Sequence, residues 1–87
     1  MKTELTPGTI AKIETIIYVR ESVLSNFESI AETLPEDHWK TPMYEALIDS
    51  YTESINSIDE ILTALGWDWE TEADGSVRLI ERSEENV

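Results

Sequence analysis

The single histidine, His38, stands between Asp37 and Trp39 in a charged stretch of a chain that contains no cysteine. Covalent or general-base catalysis needs a nucleophile and a base held within reach of one another. No Gly-rich phosphate loop or nucleophile-elbow pattern accompanies His38, so it reads as a solvated loop residue and the chain as a non-enzyme. Carboxylates are abundant, 19 Asp+Glu in 87 residues, yet acid/base work needs one of them desolvated and these fall at polar positions of the elements inferred below. What is distinctive is their arrangement. Glu45, Asp49, Glu53 and Glu60 follow at i, i+4, i+8 and i+15, close to one side of a helix with no lysine or arginine to offset them. Asp68, Glu70 and Glu72 then alternate with Trp67, Trp69 and Thr71. A further row, Glu14, Glu21 and Glu28, repeats every seven residues, roughly 10.5 Å apart on a helix, with Lys12 and Arg20 nearby.

The run Glu70-x-Glu72-x-Asp74-Gly75-x-Val77-x-x-x-Glu81 is similar in spacing to an EF-hand calcium loop, with carboxylates at positions 1, 3, 5 and 12, glycine at 6 and an apolar residue at 8. The similarity covers 12 residues. Positions 1 and 3 of such a loop take Asp or Asn rather than the longer Glu, position 9 here is the cation Arg78, and Leu79–Val87 makes a weak exiting helix. The alternation of Trp67 and Trp69 is instead that of a strand, so the stretch is assigned to a β-hairpin and no metal ligand is named. A di-metal carboxylate site in a helical bundle is excluded because it needs Glu-x-x-His pairs, and Pro35 occupies the third place before His38. The expected cofactor and metal content is none.

The chain carries a formal net charge of −13, which is unevenly spread: residues 1–35 sum to −2 and residues 36–87 to −11. Such a protein is repelled by phosphate backbones and anionic lipid, so neither direct nucleic-acid binding nor membrane binding is expected, and basic protein surfaces are its natural partners. The longest apolar run, Ile16–Val19, is far short of the roughly 20 residues of a membrane span, and residues 1–15 have no signal-peptide pattern. Together with the absence of cysteine this predicts a soluble, cytoplasmic protein, in the host cytoplasm if it is viral. High net charge is also the signature of disorder, but 40% hydrophobic residues with clear periodicity predict a folded single domain, 1–87, ending in a disordered tail over 83–87.

Thr6-Pro7 reads as a helix start, threonine capping and proline at the first position. Ile10, Ile13, Ile17, Leu24, Phe27, Ala31 and Leu34 recur at spacings of three and four, predicting helix 1 over about 7–34. A loop over 35–41 follows. Thr41-Pro42 repeats the start signal, and Tyr44, Ile48, Tyr51, Ile55, Ile58, Leu62 and Leu65 form one face of helix 2, about 42–65, stopped by Gly66. The period then changes to 2, with Asp74-Gly75 as a turn signal, predicting a β-hairpin over about 67–82. A two-residue turn would pair Trp69 with Ile80; a bulged three-residue turn shifts that register by one. The predicted fold class is therefore mainly α (α+β), a long antiparallel helical hairpin followed by a small β-hairpin whose Trp67/Trp69 face leans on the helices.

Helix 1 carries more apolar surface than one partner helix covers, because Ile16, Val23 and Ile30 form a second row beside the main stripe. These three residues are the predicted self-association surface, giving a homodimer with a four-helix core. The carboxylates Glu45, Asp49, Glu53, Glu60, Asp68, Glu70 and Glu72, with Trp39 as an apolar anchor, are the predicted partner-binding surface. Charge placed mostly on one part of a rigid scaffold is more than solubility requires. The leading expectation is a non-enzymatic acidic protein that binds and blocks a basic, nucleic-acid-binding surface of a partner protein, as DNA mimics and phage-type anti-restriction or anti-CRISPR inhibitors do. The alternative is a dimeric helical adaptor or assembly module acting through the apolar face of helix 1, its acid only solubilising.

Overall fold

The computed structural model describes residues 3–82; the tail expected to be disordered, 83–87, lies outside them. Two antiparallel helices, α1 (Pro7–Thr33) and α2 (Thr41–Leu65), are followed by a two-stranded antiparallel sheet of β1 (Trp67–Thr71) and β2 (Val77–Glu81). The molecule is elongated, 50 × 24 × 20 Å, because the helical hairpin is longer than the sheet that packs on it.

The Thr6 Oγ1 accepts from the Thr9 amide at 3.2 Å, capping α1 as expected. At α2 the expected cap does not form. Lys40 occupies the cap position without a side-chain bond, and Thr41 is already the first helical residue, its hydroxyl donating to the Pro35 carbonyl at 2.8 Å. The reason lies in the connection: His38 N–H donates to Pro35 O, and Thr41 N–H to His38 O, so tight turns deliver the chain into the helix one residue early. The His38 Nδ1 accepts from the Lys40 amide at 3.1 Å, which makes this half-buried ring part of the turn rather than a purely solvated residue. At the other end Gly66 adopts φ +87°, its N–H reaching back to Leu62 and Thr63. A left-handed residue there favours glycine.

Strand register follows the three-residue alternative. Trp69 pairs with Leu79, Trp67 with Glu81 and Thr71 with Val77; Glu72 N–H donates to Ser76 O, and Gly75 takes φ +91°. The loop is thus Ala73-Asp74-Gly75 with glycine at the left-handed position, the bulged form of a hairpin. Asp74 accepts from the Ser76 hydroxyl at 2.7 Å and its amide at 3.0 Å, and these bonds hold its carboxyl below the usual carboxylate range. Because a depressed carboxylate stabilises the fold only while ionised, this turn keeps its support above the unfolded pKa and loses it as pH falls through the lower folded value.

That register decides the core. Val77 and Leu79, rather than Ile80, share a face with Trp67 and Trp69, and Ile17, Leu62, Trp67, Val77 and Leu79 form one buried cluster, with Ile10, Ile13, Ile58, Leu65 and Trp69 packed around it. Both indoles find acceptors, Trp67 at Thr3 O (2.7 Å) and Trp69 at Asp59 Oδ1 (3.0 Å), as buried indole N–H groups require. Farther along the hairpin the helices are held by Phe27, which packs on Tyr44 and Tyr51 with ring centroids 5.8 and 5.7 Å away, and by Arg20 Nε donating to Ser54 Oγ at 2.8 Å. Arg20, the one interruption of the apolar period of α1, therefore spans the seam between the helices.

In a two-stranded sheet both outer edges are open to pairing with another chain. Here Glu14 Oε2 accepts from the Leu79 amide on the β2 edge at 2.8 Å, and Asp68 Oδ1 accepts from the Trp69 amide on the β1 edge at 2.8 Å. Glu14 thus ties the sheet to α1. Replacing Glu14 by alanine is expected to cost about 1–2 kcal/mol, the penalty for an orphaned, partly buried amide, whereas Glu14→Gln keeps an acceptor and should cost less. Urea unfolding with amide exchange at Leu79 checks this; unchanged Leu79 protection in Glu14→Ala would refute the assignment.

Candidate functional site

Each carboxylate expected on α2 projects away from the core. At 3.6 residues per turn, Glu45, Asp49, Glu53 and Glu60 fall within an arc of about 80°, centred about 130° around the helix from the buried Ile55 and Leu62, and all four are exposed. No lysine or arginine lies between Thr41 and Gly66, so the outer side of α2 has no cation of its own helix.

On the sheet, Asp68, Glu70 and Glu72 occupy the face turned away from Trp67 and the helices. They are not equivalent to the α2 row. Arg78 lies across from Glu70, its Nη2 2.8 Å from Glu70 Oε2 and its Nε 2.9 Å from Glu72 Oε1. The hydrogen bond that Arg78 donates to Glu70, and then the charge of Glu72, raise the already high pKa of Arg78. Two of the expected partner-binding carboxylates are therefore already engaged with a cation, and Asp68 accepts from the Trp69 amide. The pairing follows from the one-residue register shift, which sets Arg78 opposite Glu70. The same pairing occupies two ligand positions of the EF-hand-like spacing, and among the described residues no group of three or more His, Asp and Glu is arranged to hold a metal ion.

Conversely, α1 adds acid that the sequence placed on a mainly core helix. Glu28 and Glu32 line an open groove of about 460 Å³ together with Ala31, Glu45 and Ile48. The signal for this was the seven-residue row of Glu14, Glu21 and Glu28; what could not be read was that the antiparallel crossing sets Glu28 and Glu32 beside Glu45. Glu14, the first of that row, has the structural duty described above.

Trp39 is the most exposed large apolar side chain among the described residues, at 76%. It stacks on His38 with centroids 5.9 Å apart, and Lys40 Nζ lies 5.1 Å from its ring. The tip of the helical hairpin thus presents an indole flanked by a cation.

The expected self-association residues also sit on the surface: Ile16 and Ile30 are 43% and 40% exposed and Val23 is half-buried. Val19, Met43 and Ile61 are exposed beside them. No helix among the described residues is long and apolar enough to cross a membrane.

Comparison with known proteins brings no relative to this geometry. No family model, curated protein or solved structure matches the chain.

Proposed function

We propose that this protein is a non-enzymatic binder whose carboxylate surface occupies a basic, nucleic-acid-binding surface of a partner protein, in the manner of a DNA mimic or a phage-type anti-restriction or anti-CRISPR inhibitor. The observation that supports this reading is the outer side of α2, where Glu45, Asp49, Glu53 and Glu60 are all exposed away from the core and no cation of the same helix intervenes. One strand of duplex DNA carries a charge about every 3.4 Å. Glu45, Asp49 and Glu53 rise about 6 Å apart along the helix, so α2 alone is sparser than a phosphate strand. Glu28 and Glu32 beside Glu45 bring the local density closer to it. Lysine and arginine of the partner would pair with these carboxylates, and Trp39 would supply an apolar anchor of the kind that dominates binding energy. Glu70 and Glu72 contribute less, since Arg78 neutralises part of their charge. The place of action is the cytoplasm, of the host if the chain is viral, and neither nucleic acid nor membrane is contacted directly.

The test is displacement of labelled duplex DNA from a panel of restriction and RNA-guided nucleases, with a pull-down from host lysate washed at graded salt to find the target. Competition with DNA that weakens steeply between about 50 and 500 mM salt is the expected result, because opposed surface charges are screened over that range. Binding that is indifferent to salt would rule out charge mimicry.

The exposed strip of Ile16, Val19 and Ile30 favours a second reading, a dimeric helical adaptor whose acid only solubilises. Neutralising Glu53 and Glu60 separates the two: it weakens the activity of a mimic and spares that of an adaptor.

A further inference from the structure

Charge and apolar surface are segregated around the helical hairpin, and the sheet covers only one of its flanks. Glu14 of α1 and Asp59 of α2 both reach the sheet, which places β1 and β2 on the flank those two residues share. The Arg20–Ser54 bond marks the opposite flank. At 3.6 residues per turn, Ile16, Val19, Val23 and Ile30 of α1 and Met43 and Ile61 of α2 project there, and all but the half-buried Val23 are between 40% and 60% exposed. No carboxylate of either helix projects with them: Glu14, Glu21, Glu28 and Glu32 lie toward the sheet side, and Glu45, Asp49, Glu53 and Glu60 lie outward or toward it. In a chain of net charge −13 this is a two-helix face free of negative charge.

We infer that this flank is covered by a second copy of the chain, related by a twofold axis running parallel to the helices, so that each α1 lies against the α2 of the other copy in a four-helix core. The inference extends the apolar-face reading above and is independent of target binding. Two helices of about 40 Å, packed 8–10 Å apart, present roughly 800 Å², the area each partner contributes to a standard interface. Each copy's carboxylates then point outward across a helix about 10 Å thick, beyond the screening length of about 8 Å at physiological salt, so two strongly negative chains can meet. The orientation follows from the charges of the two helices. α1 carries four acids and two bases, with Lys12 projecting into the strip in the direction of Ile30, whereas α2 carries five acids and no base. A parallel axis sets the α1 of each copy against the more acidic α2 of the other and makes neighbouring helices antiparallel. An axis crossing the helices would instead set one acidic α2 against the other.

Sedimentation equilibrium should give twice the 9.9 kDa chain mass at about 50 µM in about 0.15 M salt. Here added salt should strengthen association by screening the net repulsion, the reverse of its effect on a basic target. Ile61→Glu, at a 60% exposed position, should remain folded by circular dichroism and sediment as a monomer. The double variant Ile16→Glu/Ile30→Glu should do the same. Spin labels on Asp37→Cys, in the exposed tip, should lie within about 30 Å of each other in the dimer, since a parallel axis brings both tips to one end at a distance of a few helix diameters. A monomeric parent at every concentration, or an Ile61→Glu chain that still dimerises, overturns the inference. So does a label separation near the 50 Å length of the molecule, which would require the crossing axis. Because a dimer without target binding and a target complex without a dimer are separate outcomes, neither failure is mistaken for the other.

Discussion

Ile17→Ala is expected to unfold a large fraction of the protein. Ile17 is fully buried and central to the one cluster that joins α1, α2 and both strands, and truncation of a buried isoleucine costs about 2–5 kcal/mol through lost transfer energy and the cavity left behind. A chain of this length has roughly 4–13 kcal/mol of stability in all. The lower half of that range applies here, because among the described residues only six hydrophobic side chains are buried and the net charge opposes compaction. Leu62, 2% exposed and also in that cluster, should be as sensitive. Thr52→Ala, an exposed helical substitution, should change stability by no more than about 0.5 kcal/mol. Urea unfolding followed by tryptophan fluorescence, with buried Trp67 as reporter, measures all three; an Ile17→Ala chain within 1 kcal/mol of the parent would contradict this account of the core.

The second large effect concerns binding. Replacing Glu45, Glu53 and Glu60 by glutamine and Asp49 by asparagine is expected to weaken the target complex at least 100-fold, about 2.7 kcal/mol, while leaving the fold as stable as before or slightly more so. The two halves of that outcome come from one cause. Glu45, Asp49 and Glu53 stand at i, i+4 and i+8 without cations between them, and each such like-charge i,i+4 pair costs a few tenths of a kcal/mol. Removing them relieves the helix and strips the partner's lysines and arginines of their counter-charges. Thermal unfolding and a binding isotherm on the same preparation test this. Affinity within threefold of the parent would reject the outer side of α2 as the binding surface, and a fall in stability would show that the carboxylates have structural partners instead.

Element types and limits were legible because they depend on local patterns. The three-and-four spacing from Ile10 to Leu34 and from Tyr44 to Leu65 can bury one stripe only as helices, and Gly66 with the change to alternating Trp67 and Trp69 can only end the second helix in a strand. The α2 acidic row followed from the same arithmetic, since residues seven and eight places apart share a helical side whatever else packs nearby. Less could be read where the outcome depends on geometry between elements. Thr41 looked like a cap, but the turn at His38 starts the helix one residue sooner. The hairpin register was open between two turns, and the choice put Leu79 inside and Arg78 across from Glu70, changing which carboxylates are free to meet a partner. Glu14 gave no sign that it would accept from the Leu79 amide 65 residues away.

The helices, the strands and the imbalance of charge are local properties, each depending on the period of side chains along one element or on composition. The packing of the elements sets which flank the sheet covers, which acids are engaged by Arg78 or by backbone amides, and that Glu28 and Glu32 join Glu45. It also leaves Ile16, Val19, Ile30, Met43 and Ile61 together on a side without helical carboxylates. Helical period specifies the direction of a side chain only relative to its own axis, whereas neighbourhood depends on how two axes are rotated and offset against each other. That rotation is set here by a few long-range contacts, Ile17 in the shared core, Phe27 between Tyr44 and Tyr51, and Arg20 on Ser54, whose partners are not adjacent in the chain.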